Sequence, residues 1–335
     1  MNCVRFESVG EPADVLRCIP ADRPEPGPGE VCVRMLASPI NPSDTMFIRG
    51  IYGTKPTLPQ VPGFEGVGVV EQSGGGFRGK LFTGKRVAVL NRAGGNWAQH
   101  TVVPASQVIP LSAALSVEQA ATFFVNPATA WIMTQEVLKV PRGAWLLQTA
   151  ANSSLGRMVI RLGQKLGFQT LNVVRSEQYV SELKSAGATE VIVFDAQNDC
   201  ADNFRESVNA VAGPDGLKYA IDPVGGATAA AIVQSLTQNG RLLLFGTLCG
   251  DPVQFSPRTL MTLQSSVEGF WLGNFMQGKN LLFKLKLMKR ITKLILDGTL
   301  TSRIDRTFSL ADIHDAVAAA EERGHSGKVL LKPEA

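Results

Sequence analysis

The chain has 335 residues, of which 44% are apolar and 19% charged, and its formal net charge is +4. Because that length exceeds what one hydrophobic core usually absorbs, we expect two domains of an ordinary globular protein. The small, dispersed charge argues against a nucleic-acid-binding protein, and the lack of an apolar run of about 18 residues argues against a membrane-spanning one.

The N-terminal segment and the cysteines predict a cytosolic location. The first ten residues, MNCVRFESVG, lack the basic start and long apolar segment of a signal peptide. The five cysteines are scattered, odd in number and never spaced as C-x-x-C, which favours reduced thiols over a disulfide framework. With three histidines, the chain also has few possible ligands for a zinc site made of Cys and His.

Residues 1–120 are predicted to form a compact β domain. Apolar and polar residues alternate over 31–37, as in a half-buried strand. Glycine clusters at 63–68, 74–76 and 94–95 separate further short apolar runs, which indicates several tight turns.

Residues 121–298 alternate helix and strand patterns, which predicts a parallel sheet covered on both faces. Its first strand, turn, helix and strand span 144–175, and the helix has an apolar face made of Leu155, Met158, Val159, Leu162 and Leu166. A turn of small residues before such a helix places backbone N–H groups where a pyrophosphate can bind. We therefore expect an α/β, doubly wound nucleotide-binding domain.

The turn itself departs from the dinucleotide fingerprint. Residues 151–156 read Ala-Asn-Ser-Ser-Leu-Gly and keep only the last glycine of G-x-G-x-x-G, the one that lets helix and strand pack closely. A structural turn without a ligand is therefore the alternative. The residues predicted to contact the phosphates are Asn152, Ser153, Ser154, Leu155 and Gly156.

Arg175 follows the second strand, at the place where an NAD site usually has Asp or Glu. Its planar fork suits the 2′-phosphate of NADP, because it forms bidentate, charge-assisted hydrogen bonds. The prediction is an NADP(H) site, and the alternative is an arginine that only caps a solvated strand end.

Two later strands also end in candidate cofactor residues. Asp222 ends one strand, and Gly246 and Thr247 follow the next. Ligands bind at the carboxyl ends of such strands. A turn or helix-capping role for Asp222 in DPVGG is equally consistent with the sequence.

The last third of the chain contains a long lysine-rich helix pattern over 278–298, with Leu281, Leu285, Met288, Ile291 and Ile295 on its apolar face. We interpret its charges as a solvated face rather than a phosphate-binding surface. Ser309 is then predicted to cap a helix that precedes a strand at Val329–Leu331. We expect this tail to pack back on the first domain.

Several stretches resemble one enzyme superfamily: ASPINPSD at 37–44, RGIYG at 49–53, NPATA at 126–130 and GFWLG at 269–273, with AANSSLG and NVVR. Together they are similar to the medium-chain dehydrogenases/reductases, and most to the zinc-free branch of quinone reductases and mitochondrial-type 2-enoyl thioester reductases. The resemblance implies a GroES-like catalytic domain at 1–120 and 299–335 and a Rossmann NADP-binding domain at 121–298. It also implies a homodimer formed through the sheet edge near 254–270.

The departures from the zinc alcohol dehydrogenases concern the metal ligands. Asn41 stands where those enzymes have a ligand cysteine, Phe64 stands where they have a histidine before Glu65, and a third ligand would fall near Asn126. Phe cannot ligate zinc, and a catalytic zinc needs three protein ligands. We therefore predict no zinc.

The resemblance implies hydride transfer from NADPH to a small-molecule substrate with an activated C=C bond, first of all a 2-enoyl thioester. Tyr52 matches the tyrosine of the enoyl reductases and is the predicted proton donor or oxyanion partner, with an aromatic lid as the alternative. Asn41 would hold the nicotinamide ribose or the substrate, and Asp44 would contact the cofactor or serve the structure.

Five further residues are assigned by resemblance alone. They are Thr129 beside the nicotinamide, Phe270 and Leu272 with backbone toward its carboxamide, Trp271 at the substrate pocket, and Lys328 reaching the cofactor from the tail. Two alternatives stay open at this point: a quinone or small-enone oxidoreductase, and a non-catalytic NADPH-binding protein.

Overall fold

The computed structural model describes residues 1–322, 324 and 327–333. The strands are β1 (Asn2–Arg5), β2 (Arg17–Pro20), β3 (Glu30–Pro39), β4 (Glu65–Ser73), β5 (Arg86–Leu90), β6 (His100–Pro104), β7 (Val108–Pro110), β8 (Trp145–Gln148), β9 (Gln169–Val174), β10 (Glu190–Val193), β11 (Leu217–Asp222), β12 (Leu236–Leu244), β13 (Ser266–Gly269), β14 (Ile304–Phe308) and β15 (Lys328–Leu331).

The helices are α1 (Pro12–Val15), α2 (Pro42–Ile48), α3 (Phe77–Phe82), α4 (Val117–Ala121), α5 (Val125–Trp131), α6 (Ser154–Leu166), α7 (Val180–Ser185), α8 (Ala201–Ala212), α9 (Gly226–Ser235), α10 (Pro257–Leu263), α11 (Leu272–Gln277), α12 (Leu281–Leu296) and α13 (Ile313–Glu321). A π-helix (Ile132–Val137) and two 3-10 turns (Glu177–Tyr179 and Gly213–Asp215) complete the set. Among the described residues, none of the helices is long and apolar enough to cross a membrane.

The chain divides into two compact units. Unit 1 comprises Met1–Val125 and Thr301–Ala335, and unit 2 comprises Asn126–Leu300. Each unit has its own apolar core, which is expected because one core rarely serves a chain of this length.

Unit 1 is built on a mostly antiparallel sheet whose order is β14-β15-β3-β4-β5-β7, with β6 paired to β3. Phe6, Phe47 and Trp97 are fully or almost fully buried in one of its cores. The C-terminal strand β15 pairs antiparallel with β3 at Leu331 and Ser38. The C-terminal segment from Thr301 onward is thus part of unit 1.

Unit 2 contains a six-stranded parallel sheet with the order β10-β9-β8-β11-β12-β13. The chain runs outward from β8 to β10, returns to β11 beside β8, and runs outward again to β13. This reversal is the hallmark of a doubly wound sheet, and it brings the carboxyl ends of all six strands to one edge. The predicted α/β class, with a Rossmann sheet and a separate β domain, is confirmed.

Two local predictions were wrong. On α12 the buried side chains are Leu287, Ile291, Leu294 and Ile295, whereas Leu281 and Leu285 are 57% and 58% exposed. The buried stripe therefore begins at Leu287 rather than at Leu281, whereas Ile291 and Ile295 are buried as predicted.

The helix after Ser309 also begins later than predicted. Its N-cap is Asp312, and the Ser309 hydroxyl hydrogen-bonds the Asp312 carboxylate at 2.7 Å. Ser309 therefore orients the capping region without capping the helix itself.

Candidate active site

Unit 1 buries four polar side chains that come from distant parts of the chain. Asp44 is 0% exposed, Glu65 2%, Asn41 4% and Lys328 8%. Asn41 and Asp44 stand at the start of α2, Glu65 begins β4 and Lys328 begins β15. We call these four residues the polar cluster.

Asp44 holds the entry to α2 in place. Its Oδ2 accepts a hydrogen bond from the Asn41 backbone N–H at 2.8 Å, and its Oδ1 accepts one from the Phe64 N–H at 3.0 Å. Burial raises the pKa of Asp44 to about 7, although these two backbone donors and Lys328 act in the opposite direction. Both carboxylate oxygens are thus engaged by the backbone of unit 1, which favours the structural alternative over cofactor contact.

Glu65, Asn41 and Lys328 form a chain of hydrogen bonds. Glu65 Oε1 accepts from the backbone N–H groups of Phe124 at 2.8 Å and Val125 at 2.7 Å, while Oε2 lies 3.5 Å from Asn41 Nδ2. The Lys328 ammonium donates to Asn41 Oδ1. Burial raises the pKa of Glu65 and lowers the pKa of Lys328, and the attraction between the two charges partly offsets both changes.

Tyr52 is half-buried beside this cluster. Its ring packs on Phe64 with the ring centroids 5.3 Å apart. Burial, followed by the negative charge of Asp44, raises the pKa of Tyr52 to about 12. The phenol therefore keeps its proton throughout the physiological range, as a proton donor must.

In unit 2, the turn between β8 and α6 offers backbone donors. Ala150 has a left-handed φ of 49°, and Ser153 caps α6 by accepting the Gly156 N–H at 3.1 Å. Among the described residues, the N–H groups of Ser154 and Leu155 have no acceptor, as is usual in the first turn of a helix. These donors, at the positive end of a 13-residue helix, fit a pyrophosphate.

Gly156 has the packing role that the fingerprint assigns to its last glycine. A Cβ atom built on Gly156 would lie 2.5 Å from the carbonyl oxygen of Ala151 and 2.7 Å from its Cα. The helix and the turn are therefore too close for any side chain at this position.

A buried amide pair supports this turn and was not singled out from the sequence. Gln148 Nε2 donates to the carbonyl of Gly156 at 2.9 Å and to Asn172 Oδ1 at 2.7 Å. The Asn172 amide in turn donates to the backbone carbonyls of Thr170 and Glu190. The signal in the sequence was Gln148 at the end of the apolar strand β8 and Asn172 between the apolar Leu171 and Val173 of β9.

Arg175 directly follows β9 and is exposed. Its side chain forms no ion pair or hydrogen bond with any of the described residues. An arginine with a free guanidinium at a strand's carboxyl end suits a phosphate monoester.

The Asp222 carboxylate joins the loops after β8 and β11. Its carboxylate accepts hydrogen bonds from the Thr149 hydroxyl and from the Gly225 N–H, the latter at 2.7 Å. Gly246 lies so close to Pro223 that a Cβ would be 2.7 Å from the Pro223 carbonyl oxygen. Asp222 thus has the turn role of the sequence alternative, while the exposed Thr247 stands at the same sheet edge.

The remaining predicted residues lie in different settings of unit 2. Thr129 is 7% exposed in α5, and Trp271 is 42% exposed before α11. The Phe270 N–H is already bonded to the Leu244 carbonyl at 2.8 Å, so Phe270 has only its carbonyl to offer a ligand. Leu272 begins α11, where its N–H lacks an intrahelical acceptor.

In the part of the chain that the structure describes, no three His, Cys, Asp or Glu side chains come together as a possible metal site.

Comparisons with known proteins agree with this architecture. The family described as "Alcohol dehydrogenase GroES-like domain" matches residues 27–113, and the family described as "Zinc-binding dehydrogenase" matches residues 154–286. The mitochondrial enoyl-[acyl-carrier-protein] reductase of Caenorhabditis elegans is 31% identical over 332 residues, which cover 97% of this chain and 94% of that protein.

Two solved structures are similar over the whole chain. A Bacillus thuringiensis protein, by name an NADPH:quinone reductase, is 30% identical, with a TM-score of 0.89 and coverage of 99% of this chain and 98% of that one. The complex of Etr1p with NADP and crotonyl-CoA is 27% identical, with a TM-score of 0.81 and 99% coverage of both chains. The chain therefore belongs to the medium-chain dehydrogenase/reductase superfamily, in its zinc-free branch of quinone oxidoreductases and mitochondrial-type enoyl reductases, and is an NADPH-dependent oxidoreductase.

Proposed function

We propose that the protein reduces the C=C bond of 2-enoyl thioesters with NADPH and without a metal ion. The observation that carries this proposal is the Asn41 amide of the polar cluster, which Glu65 and Lys328 hold as a hydrogen-bond donor. By resemblance, Asn41 and Phe64 stand where the zinc enzymes have two of their metal ligands. The similarity to the mitochondrial enoyl reductase of Caenorhabditis elegans and to Etr1p supports the choice of a thioester.

We assign cofactor binding to unit 2. The α6 N-terminus, with Ser154 and Leu155, would bind the pyrophosphate, and Arg175 would bind the 2′-phosphate. Thr247 and Leu272 follow β12 and β13 at the same sheet edge. We therefore assign binding of the nicotinamide end of the cofactor to the residues after these two strands. When bound, NADPH supplies the hydride that reduces the β-carbon of the substrate.

We assign the proton and charge chemistry to unit 1. As the β-carbon gains a hydride, the electron pair of the C=C bond moves toward the carbonyl oxygen, which becomes enolate-like. A neutral N–H donor such as Asn41 Nδ2 stabilises that charge in place of a Lewis acid. The Tyr52 phenol then gives its proton to the α-carbon, and solvent returns a proton to the phenolate, so that one hydride and one proton are consumed for each bond reduced.

The assay mixes the purified protein with NADPH and crotonyl-CoA and follows absorbance at the nicotinamide band. We expect NADPH consumption that yields butyryl-CoA. Elemental analysis of the active protein is expected to find less than one zinc per chain, whereas stoichiometric zinc required for turnover would contradict the metal-free mechanism.

A quinone oxidoreductase is the second candidate, because the Bacillus thuringiensis relative bears that name. The same assay with an ortho-quinone separates the two, since the thioester proposal requires a higher kcat/KM for crotonyl-CoA. Cytosolic location and the homodimer stay predictions from the sequence.

A further inference from the structure

Lys328 has a binding partner that the sequence did not predict. The resemblance directs this lysine toward the cofactor, but its ammonium is buried and donates to Asn41 Oδ1, 287 residues away in the chain. A buried ammonium needs both charge compensation and hydrogen-bond acceptors. Here the nearby carboxylates of Glu65 and Asp44 supply the charge, and the Asn41 amide supplies an acceptor.

The two neighbours of Asn41 fix the orientation of its amide. An ammonium only donates hydrogen bonds, so the Asn41 atom that faces Lys328 must be the oxygen. An ionised carboxylate only accepts, so the atom that faces Glu65 must be the nitrogen, and the observed distance is 3.5 Å. Rotating the amide by 180° would set the oxygen against a carboxylate and the NH2 against an ammonium.

This orientation leaves one donor of Asn41 available. The Nδ2 atom carries two hydrogens, and within the described residues its one hydrogen-bond acceptor is Glu65 Oε2. The second N–H is therefore directed away from both charged neighbours. Because hydrogen bonds in a chain polarise one another, the bond from Lys328 to the amide oxygen also strengthens this N–H as a donor.

We propose that Lys328 is a positioning residue, which holds and polarises the Asn41 amide so that its free N–H meets the carbonyl oxygen of the substrate. This inference rests on the proposed function, because it assigns Lys328 to the same reduction step. It differs from the cofactor role predicted from the sequence, since Lys328 would act on kcat and leave NADPH affinity unchanged.

The first test is Lys328→Met, which keeps the length of the side chain and removes its charge and donors. Removal of one preorganised donor to an oxyanion costs about 10²–10³ in kcat. Lys328→Met keeps the Asn41 donor but removes one of the two hydrogen bonds that orient its amide. We therefore expect a smaller loss than on removal of the donor itself, roughly 10- to 100-fold in kcat. The dissociation constant of NADPH, measured by nicotinamide fluorescence, should stay within about twofold.

A double-mutant cycle with Asn41→Ala separates positioning from an independent effect. If Lys328 acts through Asn41, adding Lys328→Met to Asn41→Ala should lower kcat no further. The matched control is Lys332→Met, which removes another ammonium of the same tail, one that pairs with Glu118 at 3.0 Å. That variant should retain the wild-type kcat.

Because Lys328→Met leaves two buried carboxylates without their cation, a second comparison uses a background in which one of them is neutral. In Glu65→Gln the side-chain oxygen can still accept the two backbone N–H groups, but its NH2 then faces the Asn41 NH2 and accepts nothing from it. In this background Lys328, which donates to the Asn41 oxygen, is the contact that still holds the amide. Glu65→Gln combined with Lys328→Met removes one charge of each sign. The double variant should have a kcat roughly 10-fold or more below that of Glu65→Gln alone.

Three outcomes would overturn the proposal: an unchanged kcat in folded Lys328→Met, weaker NADPH binding at unchanged kcat, or losses that multiply fully in the cycle with Asn41→Ala. If the wild type reduces an ortho-quinone but not crotonyl-CoA, the thioester function fails, and the same variants are compared with the quinone, whose carbonyl oxygen also needs a donor. If it reduces neither, both proposals fail.

Discussion

The two regions assigned to function are built in opposite ways. In unit 1, the polar cluster joins buried side chains from residues 41, 44, 65 and 328, and three of the four are ionisable. In unit 2, the nucleotide turn uses backbone N–H groups and close packing within residues 150–156. The free energy of buried charged groups changes strongly when a hydrogen-bond or charge partner is removed. The stability of a tightly packed backbone turn depends mainly on the volume of the side chains around it.

The same contrast distinguishes the two cationic residues that we assign to function. Lys328 is buried among partners inside its own unit, and Arg175 is exposed with its guanidinium unengaged among the described residues. We therefore expect substitutions in the polar cluster to alter the chemical step, and substitutions around the turn to alter binding and stability. The predictions below test that division.

The largest expected effect is that of Tyr52→Phe on the chemical step. Loss of a positioned general acid lowers kcat by on the order of 10²–10⁴. NADPH affinity should be unchanged, because Tyr52 belongs to unit 1 and its ring remains packed on Phe64. Single-turnover rates with crotonyl-CoA, together with NADPH titrations, measure both quantities.

Tyr219→Phe is the matched control for this substitution, since Tyr219 is a partly exposed tyrosine on β11 of unit 2. It should behave as the wild type. A Tyr52→Phe variant with full kcat would leave Tyr52 as an aromatic lid, the alternative that its contact with Phe64 also allows.

The next largest effect is expected for Arg175→Ala. If its guanidinium binds the 2′-phosphate, NADPH binding should weaken by about 2–3 kcal/mol, as for hydrogen bonds between charged groups. NADH binding should hardly change, because NADH lacks that phosphate. Calorimetric titration of both cofactors measures the difference, with the exposed Arg258→Ala as control.

Equal affinity of the wild type for NADPH and NADH would refute the role of Arg175. A loss of kcat without a loss of affinity would do so as well, and would break the proposed division between the two units.

A smaller effect is expected for Gly156→Ala, which tests shape alone. The new methyl group would lie 2.5 Å from the Ala151 carbonyl oxygen, so helix α6 or the turn must shift. Overpacking of this kind costs about 1–3 kcal/mol of unfolding free energy. Denaturant titration should show the loss, and NADPH affinity should fall with it, while Ser154→Ala in the same turn should leave stability nearly unchanged.

Much of unit 2 could be predicted from the sequence because its signals are local. The helix periodicity over 155–166, the small turn residues and Arg175 lie within one short segment, and the parallel sheet follows from the alternation of strands and helices. The mistakes there were also local: the buried face of α12 depends on which turns rest on the core, and no residue type marks that limit.

The polar cluster could not be predicted from the sequence in the same way. Asn41 and Tyr52 were found through their motifs, but nothing in the sequence around Lys328 indicates that β15 pairs with β3 and carries the ammonium to Asn41. Glu65 was noted only as the neighbour of Phe64, and its contacts with the backbone at 124 and 125 depend on the tertiary fold. Asp44 was left between two roles, and its two backbone hydrogen bonds favour the structural one.

The last prediction concerns the pH dependence of stability, to which Asp44 contributes. Its pKa is about 7 in the folded protein and 3.8 in an exposed reference state, so between these values the folded protein holds a proton that the unfolded chain releases. Stability should therefore fall as pH rises from about 4 to about 7, by at most ~1.4 kcal/mol per pH unit for this one group. Above pH 7 this contribution is constant.

Denaturant titrations across that range should show a steeper fall for the wild type than for Asp44→Asn, which cannot ionise. The variant also loses one of the two backbone hydrogen bonds, because an amide has a single oxygen. That loss lowers its stability by the same amount at every pH, so any difference in slope comes from the ionisation of Asp44. Parallel curves for the two proteins would mean that Asp44 titrates normally despite its burial. Asp44 would then carry a full negative charge at neutral pH, as an exposed carboxylate does, and the polar cluster would differ from the nucleotide turn in its side-chain contacts but not in a shifted ionisation.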